Sequence, residues 1–225
     1  MLQLQQRVVF HPGLRCFYDT QLRKRMKGAA RLLERTFWPE YSFFRAPRSS
    51  GRSGEGPPPS SGMSARGGRQ RGARVDREVS RAAQGLRVRN AHPFTGFALE
   101  ALRRSGISLV GSQVVVFEGS IATAIDVLGQ DARGAYCCVE LKCSSNSRYA
   151  SSCGPMRGEL CGRGDCLDEQ HKVQCLVTRL LFEKTYGVQA HAYVLRVNES
   201  GATLTRLPRA RDAECALRTI SRVRE

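Results

Sequence analysis

The sequence predicts a mixed α/β sandwich built around one sheet. Three observations carry this. Two apolar runs of strand character, Thr123–Leu128 and Tyr136–Lys142, flank a short polar turn, Gly129–Gly134. A long stretch, Asp168–Tyr186, carries an apolar stripe at helical spacing: Val173, Leu176, Val177, Leu180 and Leu181. Helix-like and strand-like segments alternate from residue 74 to the end, with no internal repeat.

Taken in order, residues 1–46 form a basic N-terminal extension. Gln21–Arg35 is expected to be helical, from the spacing of Leu22, Met26, Ala29, Ala30 and Leu33, and Trp38, Tyr41, Phe43 and Phe44 follow as an aromatic cluster. Arginine richness with few acids suits a targeting segment, but the scarcity of serine and the aromatics suit packing. Residues 47–73 are Arg, Ser, Gly and Pro, a composition that cannot bury a core, and are expected to be a disordered linker. A folded domain is expected over 74–225. Within it, Val75–Ala83 reads as a helix. His92–Arg104 reads as another, with His92-Pro93 as its cap and Gly106 beyond its end. Ile107–Glu118 is a Val-rich strand with Gly111 as a bulge. The two central strands follow, then a long Ser/Gly/Cys-rich loop, Ser144–Cys166. After the helix Asp168–Tyr186, capped by Gly187, come strands Gln189–Val197 and Ala202–Leu207 and a final helix, Arg209–Val223.

The chain has 225 residues and a formal charge of +16. Residues 1–92 hold 19 Lys+Arg against 6 Asp+Glu, so most of the excess lies ahead of the strands. Basicity of this size points to a polyanionic partner, nucleic acid before anionic membrane. A solubilising arginine-rich tail is the bland alternative. The nine cysteines are odd in number and include the adjacent pair Cys137-Cys138, which suits a reducing, intracellular compartment. No apolar run reaches the length of a transmembrane helix, and no secretory signal pattern opens the chain. An arginine-rich arm fits a nucleus, a mitochondrion or a virus-encoded enzyme.

Alternation places Tyr136, Cys138, Glu140 and Lys142 on one face of their strand, and Cys137, Val139, Leu141 and Cys143 on the other. An acid and a lysine in an apolar strand need a partner or a metal, because buried charge is costly. Asp126 is a lone acid in the neighbouring strand. Phosphodiester hydrolysis needs an activated water and neutralisation of phosphorane charge, which carboxylates holding Mg²⁺ or Mn²⁺ with an adjacent lysine can supply. The carbonyl of Leu141 is a further oxygen ligand to consider. A plain cross-strand salt bridge is the bland reading of Glu140 and Lys142.

Asp126 followed by Glu140-Leu141-Lys142, between a preceding and a following helix, resembles the PD-(D/E)XK nuclease superfamily. The resemblance covers about residues 72–197. It implies a restriction-endonuclease-like core with a central mixed sheet flanked by helices. It also implies metal binding by Asp126 and Glu140 and assistance to the attacking water from Lys142. The helix with Gln170 and Gln174 looks like the glutamine-bearing helix of the RecB-like and lambda-exonuclease-like branch, whose glutamine positions water or DNA; either residue fits, Gln174 slightly better. That branch has an upstream Gly-x-x-x-His motif. Here Gly72-Ala-Arg-Val-Asp76 has the spacing with Asp76 in place of histidine, and Glu78 is the nearest further acid. The expected function is therefore a Mg²⁺-dependent DNA nuclease, exonuclease-like, in repair, recombination or genome processing. The residues do not separate DNA from RNA or endo- from exonuclease action. The rival is a non-catalytic nucleic-acid-binding protein on a nuclease-like scaffold.

Arg74, Arg148 and Lys172, with Arg157 and Arg163, are candidates for phosphate contact. Cys143, Cys153, Cys161 and Cys166 contain no Cys-x₂-Cys pair, so free thiols are expected there rather than zinc or an iron–sulfur cluster.

Overall fold

The computed structural model describes residues 7–11, 14, 16–38, 65–143 and 154–223, with the backbone alone for 65–69. Within these, the elements are β1 (Val8–His11), β2 (Cys16–Asp19), β3 (Lys24–Gly28), α1 (Ala29–Phe37), α2 (Ala65–Ala83) and α3 (Pro93–Arg104), followed by β4 (Ser108–Glu118), β5 (Ile121–Gln130) and β6 (Tyr136–Cys143). A short 3-10 turn, Gly158–Leu160, precedes α4 (Leu167–Tyr186), β7 (Ala190–Asn198), β8 (Gly201–Leu207) and α5 (Arg211–Arg222).

The strands make one mixed sheet in the order β1-β2-β3-β5-β6-β7-β8, with β4 paired to β5. Helices cover both faces, as the fold class predicts. One face packs α1, α4 and α5 through Leu33, Phe37, Leu176, Leu180, Ala216 and Ile220 onto Ile125, Cys138 and Val194. The other packs α2 and α3 through Val75, Val79, Phe94 and Leu102 onto Val127, Val139, Leu141 and Leu195. The alternation in β6 is the reason: Cys138 enters the first core, while Cys137, Val139 and Leu141 enter the second. The β4–β5 register shifts between Leu109 and Gly111, where the bulge was expected. Gly187, with φ of 70°, closes α4 in the left-handed conformation, and its N–H donates to the carbonyl of Glu183.

Two boundaries differ from expectation. The first is the N-terminal extension, which is not an appendage. Its residues form an antiparallel β1–β2–β3 wing, and β3 continues into the main sheet by parallel pairing of Lys27 with Ile121 and Gly28 with Ala122. The helix begins at Ala29 instead of Gln21. The apparent periodicity over 21–35 merged one inward strand residue, Met26 (5% exposed), with the inward face of α1, whereas Leu22 is 52% exposed. The N–H of Arg157 also donates to the carbonyl of Phe37 at 2.8 Å, which ties the later loop to the end of α1. Residues Tyr41, Phe43 and Phe44 lie outside the described residues.

The second correction concerns the linker. α2 starts at Ala65, so residues 65–73 are helical and the expected helix from Val75 is only the later part of a longer one. Arginine is a good helix former, and elongation onto an existing helix is far easier than nucleation. Val75 and Val79, both essentially buried, fix the later turns on the sheet. Arg71 stacks over Phe94 at 5.1 Å and pairs with Glu199 at 2.9 Å, which holds the earlier part.

Candidate active site

β4 follows one edge of β5 along its whole length, from Ile121 to Gln130. β3 and β6 therefore share the opposite edge. β3 takes Ile121 and Ala122, and β6 takes Val127 to Gln130. Asp126 sits at the fork, where β6 has just left the ladder. Its side chain replaces the missing backbone partner: the Leu141 N–H donates to Asp126 Oδ2 at 3.0 Å. The N–H and carbonyl of one strand residue point the same way, so the Leu141 carbonyl also faces the fork.

Glu140 is 2% exposed, and Lys142 lies two residues along the same face. Lys142 Nζ is 2.5 Å from Glu140 Oε1. Gln174, reaching in from α4, donates to the same oxygen at 2.8 Å. Burial pushes the Glu140 carboxyl up to about 7, with the charge of Asp126 adding to the rise and Lys142 opposing it. Asp76 approaches from α2 on the other side. Burial raises its carboxyl to about 6, again with Asp126 adding and Lys142 opposing. Asp76, Asp126 and Glu140 are thus drawn into one electrostatic cluster with Lys142.

The remaining candidates separate. Gln170, one turn before Gln174, does not reach the site: its amide donates to Asp165 at 2.7 Å, and both side chains are buried. It stands beside the loop ahead of α4, which captures it. Glu78 is also elsewhere. Two residues turn a helix by about 200°, so it faces α3 while Asp76 faces the fork. Glu78 accepts from the His92 N–H at 2.8 Å, from Thr95 Oγ1 at 2.5 Å and from Arg74 at 2.7 Å. It ties the α2–α3 junction together. Arg74 is committed there too, donating to the Asn90 carbonyl at 2.8 Å. Lys172 is held by Asp168 at 2.8 Å and Glu169 at 2.7 Å, and Arg163 by Asp212 and Glu169. Arg74, Lys172 and Arg163, three of the candidates for phosphate contact, thus each have acidic partners within the protein. Arg148 lies outside the described residues. Arg74 is exposed nonetheless, as are Arg77, Arg81, Arg87 and Arg89 on the α2 side.

Three groups at the site gave no signal in sequence. Gln113 in β4 has φ of 50° and sits beside Asp126, its Nε2 3.5 Å from Asp126 Oδ1. A left-handed residue inside a strand has no compositional mark. His171, on the Gln174 side of α4, is half-buried; burial first, then the charges of Lys142 and Arg196, bring its pKa down to about 3. Arg196 is the register partner of Lys142 in β7 and pairs with Asp168 at 2.7 Å. Only the parallel β6–β7 pairing brings it there.

Among the described residues, no three His, Cys, Asp or Glu side chains stand close enough to hold a metal ion ready-made. The carboxylates influence one another across the cluster, but Asp126 Oδ2 is closed onto the Leu141 N–H, and Glu140 Oε1 onto Lys142 and Gln174. The donor chemistry nonetheless fits a hard divalent cation: the carboxylate oxygens of Asp126, Glu140 and Asp76 and a carbonyl facing the same fork. Cys143, Cys161 and Cys166 are free thiols, and Cys153 lies outside the described residues. No described helix is long and apolar enough to cross a membrane. Comparison with known proteins finds no matching family model and no curated relative.

Proposed function

We propose that the chain is a divalent-metal-dependent nuclease that hydrolyses DNA phosphodiester bonds, exonuclease-like and of the PD-(D/E)XK type, in repair, recombination or genome processing. The observation that supports this most is the meeting of Asp126 and Glu140-Leu141-Lys142 at the strand fork, with Gln174 donating to Glu140. A salt bridge on a solvated sheet face needs none of these features. It does not bury its carboxylate, recruit an amide from a packed helix, or gather two further acids that raise its proton affinity.

Asp126, Glu140 and the Leu141 carbonyl would hold Mg²⁺ or Mn²⁺, with Asp76 as a further carboxylate from α2. The cation supplies neutralisation of developing phosphorane charge and acidification of water. The protein's own part is positioning. Lys142 keeps a positive charge at the mouth of the cluster, where it orients the attacking water and stabilises the transition state. Gln174 fixes the rotamer of Glu140. His171, neutral beside Lys142, adds no competing charge there.

The closed Glu140–Lys142 pair favours a second reading, a nucleic-acid-binding protein that uses this domain as an inert scaffold. One assay separates them. Full-length protein is incubated with single- and double-stranded DNA in Mg²⁺ or Mn²⁺, beside Asp126→Ala and Lys142→Ala. Cleavage by wild type and loss in both variants is expected. DNA binding without cleavage in all three proteins would establish the scaffold reading.

A further inference from the structure

A second cluster of charge lies at the other end of β6 and β7. There, a hollow of about 410 Å³ is lined by Arg179 of α4, His191 of β7, Arg206 of β8 and Arg209, with Leu207 and Pro208 as part of its wall. Ala190, which also lines it, pairs with Tyr136, whereas Arg196 pairs with Lys142. Six residues of strand separate the two places, roughly 20 Å.

Arg179 is 1% exposed, and its Nε and Nη2 have no hydrogen-bond partner. Its remaining terminal nitrogen meets Glu183 Oε1 at 3.3 Å, and that same oxygen accepts from Arg209 at 2.7 Å and from the Ala190 N–H at 3.0 Å. One carboxylate oxygen thus serves two guanidinium groups. Arg206 meets the ring of His191, with Nη2 3.0 Å from Nδ1, and burial and Arg206 both lower the pKa of that imidazole. The thiols of Cys137 and Cys138 nearby are kept neutral by burial. Glu214 and Asp131 are the other acids that influence the cluster, and Asp131 is engaged by the N–H groups of Arg133 and Ala135. Three guanidinium groups therefore face one close carboxylate, an imbalance that a dianion would cancel.

We infer that this hollow is a phosphate-binding site, with Arg179 as its buried floor and Arg206 and Arg209 as its two exposed walls. The planar N–H fork of arginine matches phosphate oxygens, and Arg179 carries two buried guanidinium nitrogens without a hydrogen-bond partner among the residues that line this hollow. A phosphate here is not the scissile one. It is either a free monophosphate or the terminal phosphate of a nucleic-acid strand.

The test is calorimetric titration of the full chain, in EDTA and at constant ionic strength, with inorganic phosphate against chloride and with a 5′-phosphorylated oligonucleotide against its 5′-hydroxyl twin. One saturable site for a phosphate-bearing ligand is expected. Arg206→Gln and Arg209→Gln, both at exposed positions, should each weaken it about tenfold, and Asp126→Asn should leave it unchanged. A preference for the phosphorylated oligonucleotide that these variants abolish assigns the site to strand ends. Binding of inorganic phosphate with no difference between the oligonucleotides assigns it to free phosphate. Phosphate no better than chloride with both oligonucleotides equal, or binding undiminished in both arginine variants, overturns the assignment. No readout requires cleavage, so the result stands apart from the nuclease proposal.

Discussion

Gln174 and Glu140 meet across the α4–sheet interface, the side-chain amide donating to a carboxylate that is almost wholly buried. Gln170, one turn earlier, spends its amide on Asp165. The two glutamines are separated in sequence by only a slight preference for Gln174, yet they are opposite in consequence. Gln174→Ala frees Glu140 to rotate, and loss of such a supporting hydrogen bond typically costs about 10–100-fold in activity. Gln170→Ala leaves Asp165 buried without its partner, which costs about 1–3 kcal/mol of stability. Cleavage rates and thermal unfolding of both variants should show this crossover: Gln174→Ala slow and stable, Gln170→Ala active and less stable. Equal loss of rate in the two would remove the distinction between them.

Metal binding gives a readout free of turnover. A ligand that binds only the folded state stabilises it by about 2.7 kcal/mol at a hundred times its dissociation constant, or about 5–10 °C in Tm for a chain of this size. Mg²⁺ or Mn²⁺ should raise the Tm of wild type by such an amount, EDTA should reverse the rise, and Asp126→Asn should show none. Lys142→Ala should still respond, because the lysine neighbours the proposed ligands without being one of them. A rise of the same size in wild type and Asp126→Asn would place the cation somewhere else.

What the sequence made legible follows from where the information lies. Alternation in Tyr136–Cys143 and the stripe of α4 are local, so the faces of β6 and the packing of α4 could be read directly. Asp126 and Glu140 were legible because a hairpin brings neighbouring strands together with few alternatives. The N-terminal wing was not: β3 joins β5 across a long stretch of chain, and Met26 and Leu33 fall by chance into helical spacing. Gln174 could be preferred to Gln170 only slightly, since the choice rests on Asp165 in a preceding loop. The acidic partners of the arginines expected to meet phosphate were hidden for a related reason. Charge counts say nothing of partners, and Arg74 and Arg163 have acids beside them.

The wing predicts that the N-terminal segment is part of the fold. Phe37 is fully buried in the main core, against Gly158 among others. Phe37→Ala should cost about 3–5 kcal/mol, read as a lower urea midpoint for the whole domain. Loss confined to a separate, earlier transition would instead mark the wing as an independent unit.

Asp19 supplies a pH dependence for the same region. Its side chain accepts from Arg7 at 2.9 Å and from the N–H groups of Gln21 and Leu22, and the Arg7 hydrogen bond is the main cause of a carboxyl held below 3.8. A carboxylate with a depressed folded-state pKa contributes stability that is fully present above the unfolded value and fades as pH falls through the folded one. Asp19→Asn should therefore be less stable than wild type at neutral pH. The gap should narrow only below about pH 4. Chemical denaturation of both proteins from pH 7 to pH 3 checks this; a gap independent of pH would assign the loss to packing instead of charge.

Gln113 offers the last test, because backbone and side chain pull in opposite directions there. A φ of 50° is unfavourable for any residue with a Cβ, and in β4 it occurs at the point facing Asp126, where the neighbouring ladder opens. Strain of this kind persists when the surrounding pairing imposes it, here on both sides of the bend through Ser112–Val127 and Val114–Ile125. Gln113→Gly removes the conflict and should raise stability by up to about 1 kcal/mol. It also removes the amide beside Asp126 Oδ1, a long contact at 3.5 Å, so cleavage should fall only a few-fold. Gln113→Val places a β-branched side chain in the left-handed region and should be destabilising. The order of stabilities Gly above Gln above Val is the expected result from thermal unfolding. Gly below Gln would show that the side chain of Gln113, and not the demand of the bend on its backbone, holds this part of β4 in place.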